Sequence, residues 1–278
     1  MRAPIGLVVA AALAWGGPAS AQTRFIDPGT QPGFVTLDRM DGVSRVGVQL
    51  GLDKLDDVDL SEAFGLRTEL YGQVLLAGRR AGFYGQLPFS MLILDGAEDR
   101  QALGNLELGG LYVVRRPGRA DVVFRGGLAL PTADDGPDGI ASLFTLGERL
   151  TDYPGVTPDT TWLRLSCSPI LRSGNLFLRG DLGFDLPFAD DGGDDDLMAH
   201  LSGGLGLLTG TLVFTAELVN MGKVDGDGEL SDRFAHTLAV SLRSAGRNQI
   251  HFGAVFPLDE DARGDVWIFS LGFQQVLR

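Results

Sequence analysis

Three groups of side chains have the types and spacing for chemistry. His200-Leu201-Ser202 sets an imidazole and a hydroxyl two residues apart. On a strand that spacing turns both to one face, where a base can activate a nucleophile. The acidic runs Asp190 to Asp196 and Asp225-Gly226-Asp227-Gly228-Glu229 could collect oxygens around Ca²⁺. The third group mixes charges of both signs among apolar neighbours: Arg67, Glu69, Glu107, Arg125, Arg164, Arg179, Asp181, Asp185, Glu217 and Arg243. Such a set pairs into a ladder that fills a narrow interior, or lines a wet passage that selects solutes by charge.

The first two groups have plainer readings. Parity turns His200 and Ser202 away from lipid, and His236 and His251 fall on other strands without a recognisable triad. Neither acidic run fits the EF-hand template, since Leu230 stands where its glycine belongs, so solvated loops are expected. Cys167 is the single cysteine, which excludes a disulfide framework and a sulfur zinc site; it reads as a small packed hydrophobe. No catalytic residue, no metal site and no cofactor is expected, and the ten charged residues stand as pore-lining candidates.

Strands must position them. From Val43 onward apolar and polar residues alternate with period two, as in Val46, Val48, Leu50 and Leu52 against Arg45, Gly47 and Gln49. The stretch Leu103 to Thr132 shows one whole hairpin, two arms near ten residues each around Arg115-Arg116-Pro117-Gly118-Arg119. Ten residues is about what a tilted strand needs to cross a bilayer. Repeats of this unit give about twelve strands, the even number of a closed barrel.

The connections sort by length and charge. Short ones such as Gly78-Arg79-Arg80, Arg172-Ser173-Gly174 and Thr209-Gly210 alternate with long ones carrying most carboxylates, among them Asp53, Asp56, Asp57, Asp134, Asp135, Glu148 and Asp152. A transmembrane barrel has short periplasmic turns and long external loops, whereas a soluble β-sandwich, the runner-up fold, has no reason for that sorting. Within the longest loop, Ala141 to Leu150 has helical spacing and is read as a short helix over the barrel mouth or an irregular loop.

Residues 1–21 have Arg2, an apolar run from Ile5 to Trp15 and Ala19-Ser20-Ala21, the pattern of a cleaved secretory signal. Residues 22–42 are read as a periplasmic leader, with 34–38 an extra strand or a partial plug, and 43–278 as the barrel. The net charge of −13 argues against nucleic acid as a partner.

Leu103-Gly104-Asn105-Leu106-Glu107-Leu108-Gly109 and Gly127-Leu128-Ala129-Leu130-Pro131-Thr132 resemble the outer-membrane barrels grouped under the phenol-degradation meta-pathway (MetA-type) name, presumed transporters. The wording of that family is G-x-G-D-L and L-P-T-G; here Asn105 replaces the Asp and Ala133 the Gly. The resemblance implies passage or binding of small, aromatic or apolar compounds. Trp267, Phe269, Leu271 and Phe273 resemble the final-strand signal of outer-membrane proteins, though the chain ends Leu277-Arg278 rather than in Phe or Trp. The His200/Ser202 spacing also resembles the pair of the outer-membrane phospholipase family, which carries it on the lipid face.

The reading is a closed antiparallel outer-membrane β-barrel for passive passage of small solutes, with outer-membrane lipids and lipopolysaccharide as surroundings. Two alternatives stay open, a non-conducting structural or surface-interaction barrel and a lipid-modifying enzyme. Lumen open or plugged, substrate and oligomeric state are not fixed by the residues.

Overall fold

A computed structural model describes residues 33–37, 39, 41–55, 63–76, 78–94, 98–116, 120–189, 196–224, 233–259 and 266–277. The signal segment, the leader up to residue 32 and the acidic runs 190–195 and 225–232 lie outside these residues.

Thirteen strands are described: β1 (Arg45–Leu55), β2 (Ala63–Leu75), β3 (Ala81–Leu94), β4 (Arg100–Leu103), β5 (Glu107–Arg116), β6 (Ala120–Ala129), β7 (Thr160–Ser173), β8 (Leu176–Ala189), β9 (Met198–Thr209), β10 (Leu212–Lys223), β11 (Phe234–Ser244), β12 (Asn248–Pro257) and β13 (Val266–Val276). Neighbours pair antiparallel in sequence order, and β1 pairs with β13, which closes the cylinder. Twelve strands make the wall; β4 is a short addition on β3.

The arm expected to run unbroken from Leu103 to Val114 is in fact two strands. β3 pairs with β4 up to Phe89↔Leu103 and with β5 from Gln86↔Glu107, so Leu87 and Pro88 face the three residues Gly104, Asn105 and Leu106. Pro88 has no N–H for the ladder, and an extra residue opposite it forms a bulge. The bulge aims Asn105 into the barrel, where it is fully buried.

Period two does the sorting. Phe83, Leu108, Phe124, Leu182, Phe214 and Phe252 point outward and are exposed, part of an apolar band round the wall that suits lipid and not water. At one end the hairpins are tight, with Gly174 (φ 59°) and Gly210 (φ 60°) in the left-handed conformation that two-residue turns demand.

Two pieces of chain leave the wall and enter the lumen. The first is a strap from Gly33 toward Ser44, whose Phe34, Val35, Thr36, Leu37, Arg39, Asp41 and Val43 are all buried. Of the alternative of an extra strand at 34–38, the described residues 34–37 are not strand, and residue 38 lies outside the described residues. The second is the long connection between β6 and β7. It forms α1 (Gly136–Phe144) and then 3-10 turns at Thr145–Glu148 and Leu150–Gly155. Helix α1 starts earlier than the spacing of Ala141 to Leu150 predicts, because Asp135-Gly136-Pro137 supplies the start and Thr145 begins the tighter turn. The turns then dip inside the cylinder and bury Glu148, Arg149, Thr151 and Asp152. Asp53, Glu148 and Asp152 were expected in solvated outer loops; the first is on the inner face of β1 and the other two are in the lumen.

Candidate functional site

All ten charged candidates face inward and are buried. They divide by what they touch. Glu107 is the hub of one cluster on the wall. It accepts hydrogen bonds from Tyr84 Oη (2.7 Å) and Gln86 Nε2 (2.8 Å), pairs with Arg164 Nη1 at 2.5 Å and has Arg125 Nη1 at 3.6 Å. Arg164 turns its Nε to Asp185 at 3.0 Å and donates to the carbonyl of Thr151 on the inward loop. Nearby, Arg179 pairs with Asp181 at 2.8 Å and lies 5.8 Å from the Phe34 ring of the strap.

A second cluster joins wall, strap and loop. Arg67 holds Asp152 at 2.6 Å and Glu69 at 3.3 Å; Arg149 holds Asp152 at 3.0 Å, and the strap's Arg39 pairs with Glu69. Burial alone would raise the Asp152 carboxyl, but Arg149, Arg67, Arg39 and Arg164 outweigh it and hold the group well below the usual carboxylate range. The two inserts also touch each other: Arg149 Nη1 donates to the Val35 carbonyl at 3.1 Å, and Leu150 packs on Phe34, Leu37 and Val219.

Glu217 grips the strap. Its carboxylate accepts from the backbone N–H groups of Val35 (2.8 Å), Thr36 (2.7 Å) and Leu37 (3.1 Å) and from the Thr36 hydroxyl (2.8 Å), while Thr215 steadies it from the wall at 3.0 Å. The strap is not part of a sheet, so these donors have no ladder to satisfy them, and one anion serves for three.

Asn105 grips the loop. Nδ2 donates to the carbonyls of Pro154 (2.8 Å) and Thr157 (2.7 Å), and Oδ1 accepts from the N–H groups of Thr132 (2.9 Å) and Ala133 (2.8 Å). An aspartate could accept the second pair but could not donate the first. Asn105, one of the two positions where the sequence departs from the wording it resembles, thus pins the inward loop.

His200 is buried inside the wall with Nδ1 4.0 Å from Asp185, and its ring lies where a side chain at Gly183 would stand. The Ser202 hydroxyl accepts from the Asn220 N–H at 3.3 Å. Both groups sit behind the wall from any lipid ester. Among the described residues no group of three or more His, Cys, Asp or Glu could hold a metal ion. A depression of about 470 Å³ lies over Gly110 and Gly126 and is edged by the outward-facing Phe83, Tyr112 and Phe124.

Arg39, Asp53, Tyr84, Asn105, Glu148, Arg149 and Asp152 join this interior but were not among the candidates. For Tyr84 the period was signal enough, since it alternates with the outward Phe83. The others belong to aperiodic chain, to the bulge, or to an acidic stretch that reads as loop.

No family model matches the chain, and no curated protein sequence does. Solved structures do. An outer-membrane channel from Pseudomonas putida F1 is similar at 13% identity and TM-score 0.62, over 89% of this chain and 99% of that one. The β domain of the Bordetella autotransporter BrkA (15% identity, 84% and 100% covered, TM-score 0.44) and outer membrane phospholipase A from Escherichia coli (9%, 83% and 92%, TM-score 0.43) follow. The first likeness shows the fold, that of an outer-membrane barrel.

Proposed function

We propose that the chain is an outer-membrane channel for the passive passage of small solutes, held closed by the strap and the inward loop. Signal-directed export through residues 1–21 and a lipid-facing apolar band belong to the same reading. Barrels of about eight strands are filled by their own side chains. This one has twelve, and its lumen is filled instead by two non-covalently held inserts. That observation carries the proposal: with the inserts displaced, what remains is a wall of Arg, Glu, Asp, Gln and Gly wide enough for solutes. No covalent step is involved.

Burial of all ten candidates favours a second reading, a barrel that never conducts. Single-channel recordings in planar bilayers separate the two. The processed chain is expected to show rare, brief openings and Glu217→Ala long-lived ones. Silence from both, with the barrel folded, leaves the non-conducting reading standing.

A further inference from the structure

Arg243 is unlike the other inward arginines. Arg39, Arg45, Arg67, Arg125, Arg164 and Arg179 each have a carboxylate within 4.0 Å. Arg243 is 2% exposed, has no ion pair among the described residues, and its Nε and Nη1 have no hydrogen-bond partner. Its cross-strand neighbour on β12 is His251, 1% exposed, with neither ring nitrogen bonded. A guanidinium withdrawn from water without a counter-ion is among the costliest groups a fold can bury.

The nearby acids are already engaged. Glu217 is spent on the strap, and Asp41 on Arg45, Gln73 and the Val43 N–H. Gln274 accepts from Tyr71 Oη at 3.0 Å and Arg45 Nη1 at 3.2 Å. What closes the pair off is chain without a side chain: the Arg243 guanidinium lies where a side chain at Gly33 would stand, and the His251 ring where one at Gly272 would stand. Gly33 is the first described residue of the strap, so the cover over the cation is also the piece that Glu217 holds down.

We propose that Arg243 and His251 form a lumenal binding site for a small oxyanion, a carboxylate or a phosphate, which reaches the pair by displacing the strap at Gly33. A planar guanidinium matches two oxygens of such a ligand at once, and the imidazole offers a further N–H. Because the anion binds the strap-off state alone, its binding favours release of the strap, and release of the strap favours its binding. The site rests on the channel reading for its role as a solute site; its affinity stands apart from conduction. Anion selection here would be made inside the barrel.

The test is calorimetry on the folded barrel in detergent with sodium phosphate and, separately, sodium acetate, each against sodium chloride at equal ionic strength. Wild type is expected to bind one oxyanion weakly, and Glu217→Ala about tenfold or more tightly, since the cover is already off. Arg243→Gln in the Glu217→Ala background is expected to lose at least about tenfold. His251→Gln, the milder change if Arg243→Gln does not refold, is expected to weaken binding severalfold. Preference between phosphate and acetate identifies the ligand class. No oxyanion binding by Glu217→Ala, or equal binding with and without Arg243 or His251, overturns the site. Conduction by Glu217→Ala without anion binding would sink this inference and leave the channel; binding without conduction would do the reverse.

Discussion

The strap and the inward loop fill the same lumen but are held in different ways. The loop is tethered at both ends, to β6 and β7, and its wall contacts are spread over Asn105, Arg67 and Arg164. The described part of the strap runs into β1, and three of its backbone N–H groups converge on the single carboxylate of Glu217, beside the ion pairs of Arg39 with Glu69 and of Asp41 with Arg45. Spread contacts fail gradually, whereas convergent ones fail together. On the proposed channel reading, the strap is the insert to leave first, since its convergent donors share one acceptor.

The sharpest way to break that contrast is Glu217→Ala. It leaves the strap's N–H groups and Thr36 without their acceptor, a loss of roughly 4 kcal/mol in strap docking, or roughly a thousandfold in the docked ratio. Planar-bilayer open time should rise accordingly while the folded fraction on cold electrophoresis is unchanged. A fall in the barrel's unfolding temperature as large as that from a wall mutation would make the strap structural.

Asn105→Asp tests the loop. Two carbonyls, those of Pro154 and Thr157, lose their donors and face a carboxylate instead, at a cost of roughly 3 kcal/mol. Loop amides should exchange faster by mass spectrometry, yet conductance should change less than in Glu217→Ala, because the strap still blocks the passage. Equal opening in the two variants would erase the distinction.

Much of this architecture was legible in residue order. Strict alternation placed all ten candidates on the inner face, and the tally of alternating segments gave the twelve strands that close the wall. The plug was not legible, for physical reasons. Insertion of aperiodic chain into a lumen leaves no period, so residues 34–38 read as an extra strand or a partial plug. Glu148 and Asp152 read as part of an acidic loop, and nothing local shows that Arg67, distant in sequence, joins the neighbouring Arg149 in neutralising Asp152. Asn105 read as a departure from an acidic motif; only the loop carbonyls opposite it explain why an amide is needed.

Acid should loosen the loop in a defined window. Asp152 is depressed in the folded state, so its contribution is fully present above the ordinary aspartate value of about 3.9 and is lost as pH falls below that toward the folded value. Trp162, whose ring stands edge-on to Tyr153 of the loop at 5.9 Å, is the reporter. In a Trp267→Phe background its emission should hold from pH 7 to about pH 4 and shift below it. A shift centred near pH 6 would assign the change to another group.

The smallest expected effect isolates one bond of the strap. Thr36→Val keeps the β-branched shape and the backbone N–H bond to Glu217 but removes the hydroxyl that donates to Glu217 Oε2 at 2.8 Å. The loss should be about 1 kcal/mol, or about fivefold in closed-state occupancy, and open times should fall between wild type and Glu217→Ala. Combined with Glu217→Ala it should add nothing, since its partner is gone. Additive effects in that pair would mean that Thr36 holds the strap through some other contact, such as the Thr151 hydroxyl that donates to its carbonyl at 3.5 Å, and that the strap is pinned by the loop rather than by the wall.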